Sequence, residues 1–95
     1  MKTVFITGGS TGIGAASVKK FIQQGWNVGF MDINEEAAHE RMEEINRPDQ
    51  LIFVPGNTRN REDIRKAVEE TVKRFGQLDS VVALSLIHIS EPTRR

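Results

Sequence analysis

The chain has 95 residues, enough for one small domain, and its 13 lysines and arginines balance its 13 aspartates and glutamates. This zero formal net charge gives no indication of a nucleic-acid or membrane-surface partner. Cysteine is absent, so disulfides and thiolate metal sites are excluded, and no apolar run is long enough to span a bilayer. Because Met1-Lys2 leads directly into the first predicted strand, without room for a signal peptide, we expect a cytoplasmic domain with no membrane or nucleic-acid partner.

A glycine-rich stretch near the amino terminus organises the rest of the chain. An apolar run favours a buried strand, Gly8, Gly12 and Gly14 follow it, and an amphipathic helical pattern comes next. Glycines there can adopt backbone angles that other residues avoid, and they leave room for a close ligand. The turn would present N–H groups at the positive end of a helix, where a pyrophosphate can bind, with hydroxyl donors from Ser10 and Thr11. An ordinary strand-to-helix turn is the alternative interpretation.

The second predicted strand, residues 26–32, ends in a carboxylate. It begins after Gly25, a natural helix stop, and Asp32 lies roughly 20 residues beyond the glycine loop, where dinucleotide-binding folds place an acidic residue. A carboxylate here can accept both hydroxyls of an adenine ribose, and it repels the 2′-phosphate that marks NADP. Ile33 would then lie near the adenine. The alternative is that Asp32 is a turn residue or caps the next helix, for which Asn34 is the better candidate.

The remaining elements continue a strict alternation of strands and helices. Apolar spacing predicts a helix over 34–46, strands over 51–54 and 80–83, and between those strands a helix with an apolar stripe from Ile64 to Phe75. Asn60 is the predicted cap of that third helix, with Asp63 as its capping-box acid. The alternation predicts a doubly wound α/β fold whose parallel strands run in the order 3-2-1-4. A ligand cleft is expected at the carboxyl ends of strands 1 and 4.

The pattern Gly8-x-x-x-Gly12-x-Gly14 after Thr7, with Asp32 and Phe-Gly-x-Leu-Asp at 75–79, resembles the compact form of the short-chain dehydrogenase/reductase family. The resemblance covers Lys2 to about Ala83. It implies a Rossmann-type half-domain over 1–83 that binds NAD, from a parent that interconverts a small alcohol and a carbonyl and commonly forms homo-oligomers. The residues implied to cradle the pyrophosphate are Gly8, Ser10, Thr11, Gly12, Ile13 and Gly14.

After the third strand this chain departs from the family's usual pattern. The family carries an aspartate there, which holds the adenine amino group, followed by an apolar residue whose backbone amide supports the ring. Asn57 and Thr58 stand at these positions. The amide oxygen of asparagine can still accept a hydrogen bond from the amino group, so the role can survive without charge. A turn leading into the third helix is the alternative interpretation.

The resemblance ends abruptly after Ala83. Residues 84–94 match the translation of a transposase adapter used in DNA library preparation, so we hypothesise that a gene fragment was read through into adapter sequence and that 84–95 is a non-native tail. In the family, hydride transfer uses a tyrosine, a lysine four residues later, and a serine. This chain has no tyrosine, and no serine matches the family's catalytic one, so we expect no catalytic residue here. A non-catalytic dinucleotide-binding module is the alternative function.

Overall fold

A computed structural model describes residues 2–8 and 12–83 of the chain, and strands and helices alternate along them as predicted. Ser10, Thr11 and the proposed tail, residues 84–95, lie outside the described residues. The elements in chain order are β1 Thr3–Thr7, α1 Gly12–Gln23, β2 Asn27–Asp32, α2 Glu35–Ile45, β3 Leu51–Pro55, α3 Arg61–Phe75 and β4 Ser80–Ala83.

The four strands form one parallel sheet in the order β3-β2-β1-β4, which confirms the predicted topology. In the register of the sheet, Thr7 lies beside Met31 on one side and Ala83 on the other, and Met31 lies beside Val54. All four strands therefore end at the same edge of the sheet. We call this the carboxyl edge, and the opposite one the amino edge.

Helices cover both faces of the sheet. On one face α1 and α2 pack on the even-numbered residues of β1 and β2, in a buried cluster made of Val4, Ile6, Val18, Ile22, Val28, Phe30, Ala38 and Leu51. On the other face α3 packs on the odd-numbered residues, with Phe5, Met31 and Ala67 buried. The alternation follows from the period-2 geometry of a strand, and it gives the doubly wound arrangement that the sequence predicts.

Helix α3 packs closely against the sheet at Gly29. A Cβ atom at this position would lie 2.8 Å from Thr71 Cγ2, and Thr71 is fully buried with its hydroxyl donating to Ala67 O at 2.9 Å. The predicted apolar stripe of α3 is only partly buried, because Val72 is 38% exposed. Val81 on β4 is also exposed, at 52%.

The helix ends follow the predicted capping residues, with one correction. Asn34 Oδ1 accepts from Ala37 N–H at 3.0 Å, and Asn60 Oδ1 accepts from the N–H groups of Glu62 and Asp63. The prediction that Asp63 completes a capping box is wrong: its carboxylate accepts from Asn57 N–H at 2.9 Å, while Asn60 N–H donates to Asn57 O. The Asp63 carboxylate thus stabilises the turn before α3, whereas its spacing from Asn60 predicted a role in the helix cap.

At the amino edge the carboxylate of Asp79 adds a contact between β1 and the residue that precedes β4. Asp79 Oδ2 accepts from Thr3 N–H at 2.8 Å, and Asp79 N–H donates to Thr3 O at 2.8 Å. The hydrogen bond from the Thr3 backbone, helped by one from Gln77 and by the charge of Lys2, holds the pKa of Asp79 below its usual value. This paired contact places the two strands in register before the first ladder pair.

Candidate functional site

The loops at the carboxyl edge are joined to the end of β2 by backbone hydrogen bonds. Gly8 N–H donates to Met31 O at 2.7 Å, and Gly56 N–H donates to Asp32 O at 3.2 Å. The turns after β1 and β3 are therefore fastened on either side of Asp32. This arrangement brings the predicted glycine loop, the acidic residue and the Asn57 turn to one edge of one sheet.

The glycine loop needs glycine for its backbone conformation. Gly8 has φ +70° and Gly12 has φ +58°, a left-handed region that residues with side chains rarely adopt. No described atom lies within 4 Å of the place where a Cβ would stand at either position. Both glycines thus have a backbone conformation suited to a turn, and no described side chain or backbone atom crowds them, which is what close approach of a ligand to the backbone requires.

Helix α1 begins in this loop with a first turn suited to an anion. Its first four residues, Gly12 to Ala15, include no acidic side chain, whereas α2 and α3 each begin with two acids. The N–H groups of a first helical turn have no partner within the helix, and the macrodipole adds about half a positive charge there. In α2 and α3 nearby carboxylates offset that charge, but in α1 no side chain of the first turn does. Gly14 and Ala15 are buried, so the small residues let α1 pack closely on the sheet.

Asp32 is the last residue of β2 and is partly buried. Its Oδ1 accepts from Asn34 N–H at 3.1 Å, so it forms the local turn that was the alternative interpretation. Asn34, as expected, caps α2 itself. A carboxylate has two oxygens and about four acceptor positions, so one group can accept from a turn N–H and from other donors as well. Both interpretations of Asp32 are compatible with this geometry.

Two large apolar residues of the predicted site are exposed at the carboxyl edge. Ile13, in the first turn of α1, is 76% exposed, and Ile33, directly after β2, is 70% exposed. Single exposed apolar residues are common on protein surfaces. Here the two flank the glycine loop and Asp32, so a ligand bound at this edge could cover them.

The turn after β3 is held by its own hydrogen bonds. Asn57 is exposed, and its Oδ1 accepts from Arg59 N–H at 2.9 Å, which is the turn geometry of the alternative interpretation. The predicted acceptor atom is therefore already engaged, although a carbonyl oxygen has a second lone pair. Thr58 is half-buried in the same turn. The structure also brings Asp63 to this turn, although its spacing predicted a capping-box role in α3. Its carboxylate accepts a hydrogen bond from Asn57 N–H.

A groove away from the carboxyl edge is lined in part by side chains with packing roles. A groove of about 400 Å³ beside the end of α2 is lined by His39, Met42 and Leu51 among others. The His39 ring packs edge-on against Phe53, with centroids 5.8 Å apart, which gives the histidine a packing role. Within residues 2–8 and 12–83, no group of three potential metal ligands comes together, and none of the helices has the length and apolarity needed to cross a bilayer.

Comparison with known proteins identifies the family. A family model described as short chain dehydrogenase matches residues 2–94, nearly the whole chain. The chain belongs to the short-chain dehydrogenase/reductase family. Its α/β fold and strand order agree with that assignment.

Individual members of the family resemble the chain in sequence and in structure. L-fucose dehydrogenase from Mus musculus is 41% identical over 81 residues, which cover 85% of this chain and 29% of that protein. A cis-3,4-dihydrophenanthrene-3,4-diol dehydrogenase from Alcaligenes faecalis is 42% identical over 79 residues, or 83% of this chain and 28% of that one. The crystal structure of 3-ketoacyl-(acyl-carrier-protein) reductase from Brucella melitensis complexed with NADH has a TM-score of 0.77 at 29% identity, over 84% of this chain and 32% of that one. The chain thus spans under a third of the length of these short-chain dehydrogenase/reductase relatives.

Proposed function

We propose that this chain is the NAD(H)-binding part of a short-chain dehydrogenase/reductase. The whole protein would interconvert a small alcohol and a carbonyl compound by hydride transfer, with NAD supplying or accepting the hydride. We further propose that the parent is a cytoplasmic homo-oligomer. The 95 residues contain no tyrosine, so the proposal assigns cofactor binding, and not the catalytic proton transfer, to this chain.

One observation carries the proposal. The two positive-φ glycines, the first turn of α1 without acidic side chains, and the carboxylate of Asp32 converge on the carboxyl edge of a parallel sheet. In open α/β sheets, ligands bind outside the carboxyl ends of the strands, where the strand order reverses. Here that point lies between β1 and β4, with α1 beginning beside it. The NADH complex of the Brucella melitensis relative supports a nicotinamide dinucleotide as the ligand.

The residues present fit such a ligand in charge and shape. The pyrophosphate would meet the N–H groups of the glycine loop, from Gly8 to Gly14 and including Ser10 and Thr11, while Ile13 packs beside it. Asp32 would accept the ribose hydroxyls and repel a 2′-phosphate, which favours NAD over NADP. Ile33 would cover one side of the adenine, and Asn57 and Thr58 would meet its edge. The expected role of Asp32 is thus a selective one, and it is testable by removing the carboxylate.

Titration calorimetry with NAD, NADP and ADP-ribose tests this assignment. Asp32→Ala should weaken NAD binding about tenfold or more, because hydrogen bonds to a charged group contribute about 1.5–3 kcal/mol. The same variant should bind NADP at least as well as the wild type does. Asp49→Ala, which removes an exposed carboxylate from the turn between α2 and β3, is the matched control and should change neither affinity. An unchanged preference for NAD in Asp32→Ala would remove Asp32 from the site.

The second candidate is a non-catalytic dinucleotide-binding module. The absence of tyrosine from all 95 residues favours it over catalysis by this chain alone. Incubation of the chain with NADH and a panel of aldehydes and ketones tests for catalysis by this chain alone. Dinucleotide binding without NADH oxidation is expected for both candidates, whereas steady turnover would contradict both, because it would require a proton donor other than tyrosine.

A further inference from the structure

The carboxylate of Asp63 stabilises the turn between β3 and α3, although its position in the first turn of α3 suits a helix cap. Asp63 Oδ2 accepts from Asn57 N–H at 2.9 Å, six residues back along the chain. Asn57 in turn accepts twice: its Oδ1 receives Arg59 N–H at 2.9 Å, and its backbone oxygen receives Asn60 N–H at 2.9 Å. Both the side chain and the backbone of Asn57 are thereby fixed in one conformation, with Asp63 at the base of the network.

Asp63 also packs against the residue that fastens this turn to β2. A Cβ atom at Gly56 would lie 3.2 Å from Asp63 Cβ and 2.8 Å from Met31 Sδ, so glycine is needed for this close approach. Gly56 N–H donates to Asp32 O at 3.2 Å. Contacts therefore run from Asp63 through Asn57 and Gly56 to the end of β2, where the proposed ribose ligand lies.

We propose that Asp63 is a positioning residue of the cofactor site, whose carboxylate holds the β3–α3 turn in the conformation that receives the adenine end of the dinucleotide. This inference rests on the proposed function. Asp63 touches no ligand itself and acts through Asn57. Its effect is accordingly confined to the adenine half of the ligand, while the pyrophosphate binds at the glycine loop.

Three variants separate this role from a general effect on α3. Asp63→Ala removes the acceptor, and Asp63→Asn keeps an amide oxygen that can accept from Asn57 N–H. Glu62→Ala is the matched control, because Glu62 also lies in the first turn of α3 but its carboxylate contacts Arg65, at 2.8 Å. Should Asp63→Ala not fold, Asp63→Glu keeps a charge in the first turn and displaces the oxygen from Asn57, so it serves the same comparison.

The measurements are calorimetric affinities of the full chain for ADP-ribose and for inorganic pyrophosphate, with amide hydrogen exchange at Asn57. Asp63→Ala should weaken ADP-ribose binding about tenfold, leave pyrophosphate binding within about twofold, and speed exchange of the Asn57 amide. Asp63→Asn should recover most of the ADP-ribose affinity, and Glu62→Ala should bind as the wild type does. A purely structural role would weaken both ligands together.

The outcomes distinguish this inference from the proposed function on which it rests. If the wild type binds ADP-ribose and Asp63→Ala binds it equally well, the positioning role is overturned and the dinucleotide site stands. Equal weakening of ADP-ribose and pyrophosphate also overturns it. If the wild type binds neither NAD nor ADP-ribose, the proposed function itself fails and the inference fails with it, whatever the exchange rate at Asn57.

Discussion

Replacing Gly29 with alanine tests the close packing of α3 on the sheet. Gly29 lies in the middle of β2, paired with Phe5 on one side and Ile52 on the other. An added Cβ would meet three atoms of the fully buried Thr71 side chain, with Cγ2 at 2.8 Å and Cβ at 3.0 Å. The strand cannot move away without disturbing both of its ladders, so the strain must fall on Thr71 and α3.

The structure sets the size of the effect. Rotation of Thr71 would break its hydrogen bond to Ala67 O, which is 2.9 Å long and buried. Overpacking of a well-packed core costs about 1–3 kcal/mol. A domain of this size loses about 4–8 °C in Tm for each kcal/mol, so we expect Gly29→Ala to lower Tm by at least about 4 °C.

Urea unfolding followed by the fluorescence of Trp26, the single tryptophan, measures the change in the free energy of unfolding. Thr71→Ala provides the matched test, because it removes both Oγ1 and Cγ2. The double variant Gly29→Ala/Thr71→Ala should be more stable than the sum of the single effects predicts, by about 0.5–3 kcal/mol. A Gly29→Ala protein as stable as the wild type, or strictly additive effects, would refute the close packing of α3 on β2.

Two further predictions concern the ends of elements. The hydrogen bond from Thr3 N–H holds the folded-state pKa of Asp79 below its ordinary value. Ionised Asp79 therefore stabilises the folded protein above the unfolded pKa of about 3.9, and this stabilisation is lost as pH falls through the folded pKa. Asp79→Asn should therefore lower the free energy of unfolding at neutral pH and make it fall less steeply below about pH 4, in acid titrations followed by circular dichroism. An acid titration identical to that of the wild type would contradict this. Asn46 ends α2 at φ 53° with its N–H on Met42 O, so Asn46→Ala should cost about 1 kcal/mol in urea unfolding, whereas Asn46→Gly should be nearly neutral. Equal stability of the alanine and glycine variants would argue against the left-handed cap.

The sequence predicts features that depend on local chemistry. Strand order follows from the alternation of predicted strands and helices, and two helix starts follow from residues whose side chains suit a cap, Asn34 and Asn60. The carboxyl-edge location of the glycine loop and Asp32 follows from the parallel topology, because the loop follows β1 directly and Asp32 is the last residue of β2.

Contacts between distant parts of the chain could not be predicted from the sequence. The fit of Gly29 against Thr71 joins residues 42 positions apart, and nothing near Gly29 in the sequence indicates it. Asp63 shows the limit most clearly, because its spacing from Asn60 suits a capping box and only the folded turn reveals that Asn57 takes the carboxylate. Val72 shares the apolar spacing of α3, yet it is exposed, because burial depends on which parts of the helix the folded sheet contacts. Whether the predicted site residues, from the glycine loop to Asp32, Ile33, Asn57 and Thr58, bind a cofactor stays a prediction.

We propose above that the carboxyl edge of the sheet binds a nicotinamide dinucleotide. Titration of the ¹⁵N-labelled chain with NAD, followed by amide chemical shifts, tests it most directly. We expect the largest shifts in the glycine loop from Gly8 to Gly14, at Asp32 and Ile33, and at Asn57 and Thr58. The amides of residues 46–50 and of Asp79, at the amino edge, should not shift. Shifts centred on the amino edge, or none at millimolar NAD, would contradict it.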